Sequence, residues 1–503
     1  MPAVGTDRIS KVLGYQLTAG NFATVTPNLT QRVLIIGEGN EANQATMPTE
    51  LTEINSAQEA GEKYGYGSQI YNAMRILRPS NGGGIGGIKT FVGAQLKASG
   101  AAAKILDVTP SGTATGNGTH TLVIAGRENV DGERYDFNIV TGDTVADITE
   151  KIEDVINNVL GSPFLAVDNT TKLTATSKWM GLTADKLSIE INTNGDALGI
   201  TYVVSEDQAA SGTPSVTSTL NLIGSQWVTA VCNTYGEDTN VMDALEAYNG
   251  KPDETLPTGR YSGIVFKPFI AITGSTSEDP SAITDARKTD VTIAIAPAPK
   301  SAGLPSEAAA NATLLYAVQA QNSPHLDISG MVYPDMPTPS EIGAMDVYNN
   351  RDVIVKKGCS TVQLNAGQYE MVDFVTTYHP VGEIVPQHRY VRSLTQDFNI
   401  KFGYRILEEQ SVIDHTILAD DDTSSVKKTV KPKQWKAVVT NYADGLSDRA
   451  LIAEPDFMKE SIEVSISTTN PDRFETFFRY KRSGFARILS TEAQAGFNFG
   501  TNN

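Results

Sequence analysis

Two glycine-rich segments are the first places where the sequence could bind phosphate. Residues 37–40 read GEGN and follow an apolar run, but they lack the third glycine and the helix of a dinucleotide-binding loop. Residues 82–90 read GGGIGGIKT, yet Ile88 precedes Lys89, and a strand pattern follows where a phosphate loop needs a helix N-terminus. Both segments predict turns, and no cofactor is expected.

The other groups that could do chemistry also have the wrong spacing. His379 and Glu383 lie four residues apart, but Pro380 and Gly382 break the helix that would bring them together. The three aspartates at 420–422 lack the glycine and the distal glutamate of a calcium loop. The sequence has no GxSxG elbow and no HExxH pair. We therefore predict no enzymatic activity and no metal site.

One cluster of basic residues stands out in an acidic chain. The 58 acidic and 40 basic residues give a net charge of −18, which disfavours nucleic acid as a partner. Against that background the segment 427–436 holds Lys427, Lys428, Lys431, Lys433 and Lys436. The cluster is either a solvated loop and helix start or a patch that docks on an acidic protein surface.

Length and composition describe a globular protein of several domains. At roughly 100–200 residues per domain, the 503 residues correspond to about three. No apolar run approaches the roughly 18 residues of a membrane-spanning helix, and the first residues lack a secretory-signal pattern, so no membrane partner is expected. Cys232 and Cys359 are too few for a disulfide scaffold and are expected to be buried thiols.

The first part of a core domain is predicted over residues 32–100. The apolar run 32–37 predicts a buried strand, and Ser68 can cap a helix that ends before Pro79. A second strand is predicted at 88–96. This strand–helix–strand order is typical of a parallel sheet.

A β-rich domain is predicted to be inserted at residues 101–216. Asn-Gly or Asp-Gly pairs at 117–118, 131–132 and 194–195 lie between β-prone runs, and such pairs favour tight hairpin turns. A single helix is predicted behind Thr144, with an apolar stripe on one face.

The main core domain is predicted over residues 217–484, where strand and helix patterns alternate again. Strands are predicted at 226–232, 262–272 and 290–297, and a helix at 308–321. Further predicted elements are strands at 360–364, 371–378 and 462–467 and a helix at 434–442 that ends at Gly445. The fold class is therefore α/β (α+β) and multidomain, with a mostly parallel core sheet split by the β-rich domain.

Both ends of the chain are extended, weakly charged and carry isolated large apolar residues. Residues 1–31 and 485–503 are either frayed termini or arms that donate a strand to a neighbouring subunit's sheet edge. The apolar residues of these arms that would contact a neighbour are Tyr15, Phe22, Val25, Phe485, Phe497 and Phe499.

Five segments, in order along nearly the whole chain, carry a family resemblance. They are QRVLIIGEG (31–39), KYGYGSQIYNAMRILRPSN (63–81), GTATGNGTHTLVIAGR (112–127), GDTVADITEKIEDVINN (142–158) and KKGCSTVQLNAGQYEMVDFVTTY (356–378). In order and spacing they resemble the tail sheath proteins of contractile bacteriophages, in particular the Mu-like family. Cys359 stands where that family usually has isoleucine, and the chain ends in AGFNFGTNN rather than in the family's usual last strand.

The resemblance implies a mechanical role in a virion. Proteins of this family stack as hexameric rings around a tail tube, between a baseplate and a tail terminator, and contract to drive the tube through the host envelope. It implies assembly in the host bacterial cytoplasm, an inserted domain on the outer surface and polymerisation through the two arms. The lysine cluster would then face the tube or an acidic patch of a neighbouring subunit.

Three other interpretations stay open at the level of sequence. A sheath of a headless injection particle or of a secretion system would have the same architecture. The α/β frame and the GEGN segment also fit a nucleotide-dependent enzyme, although fold alone is weak support for one. The β-rich residues 101–216 fit a receptor-binding protein, but they form a small share of the chain.

Overall fold

The computed structural model describes residues 26–253, 255–383, 386–424 and 426–495. Their contacts divide them into two compact units, one of residues 28–399 and one of residues 26–27 and 400–495. The predicted mixed α/β, multidomain architecture is present. The finer domain boundaries given above stay predictions.

The strands of the first unit are β1 (Arg32–Glu38), β2 (Thr52–Glu53), β3 (Lys89–Gln95), β4 (Ile105–Gly112), β5 (Gly118–Ile124), β6 (Asn129–Val130), β7 (Glu133–Arg134), β8 (Asp136–Ile139), β9 (Phe164–Asp168), β10 (Leu173–Ser177), β11 (Ile189–Asn192), β12 (Ile200–Gln208), β13 (Ala230–Asn233), β14 (Ile270–Ser275), β15 (Ile293–Pro297), β16 (Thr361–Asn365) and β17 (Gln368–Asp373). Its helices are α1 (Ala57–Tyr64), α2 (Gln69–Leu77), α3 (Val145–Asn158), α4 (Thr217–Leu222), α5 (Thr239–Asn249), α6 (Ser281–Asp285), α7 (Pro305–Asn322) and α8 (Tyr348–Lys356), and α9 (Val391–Ser411) continues into the second unit. The second unit holds β18 (Thr416–Ile417), β19 (Thr429–Val430), α10 (Pro432–Asp448), β20 (Ile452–Ala453), α11 (Pro455–Glu460), β21 (Glu463–Ile466), β22 (Phe474–Phe477) and β23 (Lys481–Arg482).

A six-stranded sheet in the order β15-β14-β13-β1-β3-β2 forms the core of the first unit. Its neighbouring strands are parallel except for the short pair of β2 with β3. Nearly every residue of β1, β13, β14 and β15 is buried, as expected for parallel strands covered on both faces. The chain passes from β1 to β3 on one side and to β13, β14 and β15 on the other, so the sheet is doubly wound about β1.

Helices α2 and α7 pack against each other and against the sheet. Gly274 of β14 makes this packing possible, because a β-carbon there would lie 1.7 Å from the carbonyl oxygen of Pro305. The helix predicted at 308–321 is confirmed and begins earlier, at Pro305. Proline has no backbone N–H, and the first residue of a helix does not need one because no carbonyl within the helix would accept its hydrogen bond.

The strand predicted at 262–272 is wrong over its first half. Strand β14 begins only at Ile270, and residues 262–268 form a loop. The buried Arg260 explains the difference, because its guanidinium donates to the carbonyls of Gly224 and Lys267 and so holds the segment in a turn.

The β-rich region is built from two antiparallel sheets, β12-β4-β10-β9 and β11-β5-β8, with α3 packed against them. The predicted cap of α3 is confirmed, since Thr144 and Asp147 form a reciprocal capping box. Asp131 and Gly132 turn the hairpin between β6 and β7 in the left-handed conformation, as predicted. The pair at 194–195 turns between strands of different sheets, and the pair at 117–118 is not a hairpin turn because Gly118 already begins β5.

A network of four charges, two of them buried, joins the β-rich region to the helices of the core. Arg75 of α2 lies 2.6 Å from both Glu307 and Asp335, and Arg127 of the β-rich region also contacts both acids. Burial by itself would raise the pKa of Asp335, but the two guanidinium groups hold it below its ordinary value. The hydroxyl of Tyr71 adds a hydrogen bond to Asp131 of the β-rich region.

The second unit has a compact aromatic core. Trp435 and Tyr442 of α10 are buried against Tyr404 of α9, and Tyr442 donates a 2.7 Å hydrogen bond to the Ile400 carbonyl. Helix α10 continues past Gly445 to Asp448, because Gly445 is buried in helix packing rather than used as a terminator. Among the residues that the structure describes, its strands pair two by two, as β18-β19, β20-β23 and β21-β22.

Candidate functional site

The carboxyl end of β1 is where a doubly wound sheet would hold a nucleotide. Here the GEGN segment leads into a short 3-10 turn, Glu41–Asn43, and not into an α-helix. Glu38 is 1% exposed, and Gly181 of the β-rich region packs so closely that a β-carbon there would lie 3.1 Å from its carboxylate. Gly181 therefore packs directly on the side chain at the end of β1.

The buried Glu38 carboxyl group has an unusual environment. Neither carboxylate oxygen makes a hydrogen bond of good geometry, although the equally buried Tyr235 hydroxyl group faces them. Burial raises the pKa of Glu38 to about 8, and the hydroxyl group only partly offsets that rise. The raised pKa of Glu38 favours its neutral, protonated form.

The remaining candidate groups have structural roles. The ring nitrogens of His379 lie 2.7 Å from the Thr377 carbonyl and 3.2 Å from Asp285, while Glu383 lies near the Tyr378 hydroxyl group instead. Among the described residues no three histidine, cysteine, aspartate or glutamate side chains are grouped to hold a metal ion. None of the helices in this part of the chain has the length and hydropathy needed to span a membrane.

Both cysteines and the second glycine-rich segment also have structural explanations. Cys232 and Cys359 are free and buried, and burial raises the pKa of Cys232 to about 12. The segment 82–87 is an exposed turn between α2 and β3, with left-handed backbone at Gly82, Gly83, Gly84 and Gly86. The prediction of a turn at this segment is confirmed.

The five lysines of the basic cluster lie along β19 and the start of α10. Lys427, Lys428, Lys433 and Lys436 are exposed, and Lys431 is half-buried. The aspartate loop 420–422 folds back on this segment. Lys431 Nζ donates to the Asp422 carbonyl, and the Lys433 backbone N–H donates 2.8 Å to Asp420. Asp420 and Asp422 therefore each contact the basic segment.

The predicted arm residues fall mostly outside the described part of the chain. Tyr15, Phe22, Val25, Phe497 and Phe499 lie outside the described residues. Phe485 is described, is 38% exposed and lies under the guanidinium of Arg487 at 5.1 Å. Residues 484–495 have no regular secondary structure, and Ile488 and Leu489 are almost fully exposed.

The sequence patterns missed two apolar surface features of the first unit. Ile264 stands 98% exposed on the loop that was predicted as a strand. An open groove of about 720 Å³ lies beside the carboxyl end of β3, with Leu96 and Leu222 half-exposed along it. Ile264 lies in an apolar run, which does not distinguish surface from core, and no local pattern marks Leu96 or Leu222 as exposed.

One curated relative resembles the chain over nearly its whole length. The Mu-like prophage FluMu tail sheath protein of Haemophilus influenzae is 22% identical over 458 residues, and the match covers 89% of each chain. This finding confirms the resemblance to Mu-like tail sheath proteins predicted from the five sequence segments. No protein family's sequence profile matches the chain.

Two solved structures are also similar to it. The sheath tail protein of Desulfitobacterium hafniense is 12% identical with a TM-score of 0.44, covering 93% of this chain and 100% of that one. The sheath tail protein Lin1278 of Listeria innocua is 11% identical with a TM-score of 0.43, covering 92% and 94%.

Proposed function

We propose that this protein is the structural subunit of a contractile phage tail sheath. The observation that carries the proposal is the match to a Mu-like tail sheath protein across 89% of both chains. In this role the chain polymerises as stacked hexameric rings around a tail tube and contracts to drive the tube through the host envelope. Its work comes from the difference between two packings of identical subunits, without catalysis or a cofactor.

The terminal segments are proposed to connect the subunits. A sheath must stay connected while its subunits rotate and slide, and main-chain ladders can persist while side-chain contacts are remade. Residues 484–495 are mostly exposed and have no regular secondary structure, which suits such a strand, and among the described residues β21 and β22 pair only with each other, which leaves edges to which a strand could add. We therefore assign the arms of residues 1–31 and 485–503 to neighbouring subunits.

The basic cluster is proposed to face the tail tube or an acidic patch of a neighbour. Exposed lysines give screened, reversible contacts, which suit a sheath that must release its tube on contraction. Changing Lys428→Glu and Lys433→Glu together is expected to reduce the recovery of tube-loaded sheath. Intact tube-loaded particles from this variant would exclude the cluster from the contact.

The remaining partners follow from the same role. The proposed sheath begins at a baseplate, ends at a tail terminator and belongs to the virion, with the β-rich region on its outer surface and assembly in the host bacterial cytoplasm. A sheath of a headless injection particle or of a secretion system is the alternative. Neighbouring genes for capsid and packaging proteins would favour the phage, and their absence would favour the alternative.

Electron microscopy of two purified chains tests the proposal. The full chain is compared with one that lacks residues 1–25 and 490–503. We expect helical tubes or stacked rings from the full chain and their loss in the shortened chain. Compact oligomers of uniform size that are unaffected by the truncation would contradict polymerisation through the arms.

A further inference from the structure

Four asparagine residues of the chain are followed directly by glycine. The pairs are Asn81-Gly82, Asn117-Gly118, Asn194-Gly195 and Asn249-Gly250. In such a pair the backbone nitrogen of the glycine can attack the side-chain carbonyl carbon of the asparagine, because glycine has no side chain to block the approach. The attack requires that the asparagine side chain and the glycine backbone are both free to move. The surroundings of each pair therefore separate reactive pairs from protected ones.

Asn81 lies in the exposed turn between α2 and β3. Within the part of the chain that the structure describes, its side chain makes no hydrogen bond. Gly82 has a left-handed φ of 89°, and a β-carbon there would meet no other atom within 4 Å. The Gly82 N–H donates to the Pro79 carbonyl at 3.2 Å in the same exposed turn, and this hydrogen bond must open before the nitrogen can react.

The two pairs of the β-rich region are also exposed, but hydrogen bonds hold their asparagine side chains. Asn117 Oδ1 accepts from the backbone N–H of Thr141 at 2.7 Å and from its hydroxyl group at 3.1 Å. Asn194 Nδ2 donates to the Thr119 carbonyl at 2.8 Å. The glycine that follows Asn194 has the same φ of 89° as Gly82, so the conformation of the glycine does not distinguish these two pairs. The hydrogen bonds of the asparagine side chains do distinguish them.

The fourth pair is buried at the end of α5. Asn249 is 0% exposed, and its side chain donates to the Phe269 carbonyl at 2.9 Å and accepts from the Phe269 N–H at 3.0 Å. A β-carbon at Gly250 would lie 2.3 Å from the carbonyl oxygen of Thr258, so the glycine is tightly packed as well. A reaction at this pair would require the surrounding fold to open.

We propose that Asn81 is a site of spontaneous deamidation in the folded protein and that it reacts before the other three asparagines. The Gly82 nitrogen bonds to the Asn81 Cγ atom, and the bond from Cγ to the side-chain nitrogen breaks. The proton of the Gly82 N–H leaves with that nitrogen as ammonia, and the product is a five-membered cyclic imide. Water then opens the ring at one of its two carbonyl carbons and leaves either aspartate or isoaspartate at position 81.

Both products change the turn between α2 and β3. Each adds one negative charge where the chain has a neutral amide, and isoaspartate also lengthens the main chain by one carbon atom. The end of the turn is held by Ile85, which is 2% exposed and whose N–H donates 2.8 Å to the Leu77 carbonyl. Arg78 Nη1 also donates 2.9 Å to the Gly86 carbonyl. We therefore expect residues 79–84 to absorb the added carbon atom while α2 and β3 stay folded.

Peptide mapping by mass spectrometry tests the proposal. The purified full chain is incubated at mildly alkaline pH, and the conversion of each asparagine is followed over time. We expect Asn81 to convert about tenfold faster than Asn117 or Asn194, because the hydrogen bonds of those two side chains must open first. Asn81→Gln should remove the earliest mass gain of the intact protein, whereas the matched variant Asn194→Gln should leave it unchanged. Thermal unfolding of both variants should equal that of wild type.

The same incubation in concentrated urea separates the effect of the fold from that of the neighbouring residues. In the unfolded chain we expect all four asparagines to convert at similar rates, because each precedes glycine. Conversion of Asn117 or Asn194 as fast as that of Asn81 in the folded chain would overturn the proposal. A preference for Asn81 that is equally large in urea would also overturn it, and so would an Asn81 that converts only in urea.

Discussion

The β-rich region and the unit of residues 400–495 differ in the kind of contact that they make. The β-rich region is joined to the core by Arg75, Arg127, Glu307 and Asp335, of which Arg75 and Glu307 are buried. In the unit of residues 400–495, the strands that the structure describes pair only two by two, and apolar residues such as Ile488 and Leu489 face outward.

The difference separates contacts that persist from contacts that can be exchanged. A buried ion network with matched charges is costly to break, because removing one partner leaves another charge buried without compensation. A two-stranded ladder has edges at which further strands can pair. In the proposed sheath, the first region would move as one body while the second exchanges strands with neighbours.

The largest expected effect comes from breaking the buried ion network. Arg75→Met leaves Glu307 buried beside Arg127 alone and is expected to lower the free energy of unfolding by about 3–5 kcal/mol. Chemical denaturation measures the change. Arg134→Met, which removes exposed and solvent-screened pairs with Glu128 and Asp136, should lower the free energy of unfolding much less than Arg75→Met does. Equal losses of unfolding free energy in the two variants would contradict a special role of the buried ion network.

The Glu38 carboxyl group gives the contact between the core and the β-rich region a pH dependence. Its pKa is about 8 in the folded protein and ordinarily 4.5. The stability that the protonated Glu38 adds to the folded protein is therefore fully present below pH 4.5 and is lost as the pH rises towards 8. Relative to wild type, Glu38→Gln should gain stability by up to about 1.4 kcal/mol per pH unit across that window. Unfolding curves at pH 5 and pH 8 measure the gain, and the same difference at both values would refute the assignment.

A smaller effect is expected in the core of the second unit. Tyr442→Phe removes the hydrogen bond to the buried Ile400 carbonyl and should cost about 1–2 kcal/mol in unfolding free energy. Tyr348→Phe, at a residue 68% exposed, is the control and should cost almost nothing. A neutral result for Tyr442→Phe would mean that water replaces the lost hydroxyl group.

The smallest effect on stability should come from the exposed lysines. The double variant Lys428→Glu, Lys433→Glu is expected to change the unfolding free energy by less than about 0.5 kcal/mol. A larger loss on thermal unfolding would show that these lysines support the fold, and the proposed docking role would then lack its basis.

The sequence predicted those strands and helices that are marked by a pattern within a few neighbouring residues. Strands β1, β13 and β15 lie in continuous apolar runs, and the capping residue Thr144 predicts the start of α3. The loop at 262–268 resembled a strand because its apolar and aromatic residues match strand composition, whereas its turn is set by Arg260.

The contacts between segments far apart in the chain could not be predicted from the sequence. Arg75 and Asp335 are 260 residues apart, so no local pattern joins them. The exposure of Ile264 and Leu222 likewise depends on how the whole sheet is covered, which composition does not reveal. The basic cluster is visible in the sequence because its five lysines lie within ten residues of each other. The sequence of one chain does not identify the partner that the cluster would bind.

The most direct test of the central claim is electron microscopy of the full chain produced together with a tail tube protein. We expect a helical sheath around each tube, with six subunits per ring and a second, shorter and wider form after contraction. Tubes that stay bare, beside a sheath chain that is monomeric or forms only small closed oligomers, would contradict it.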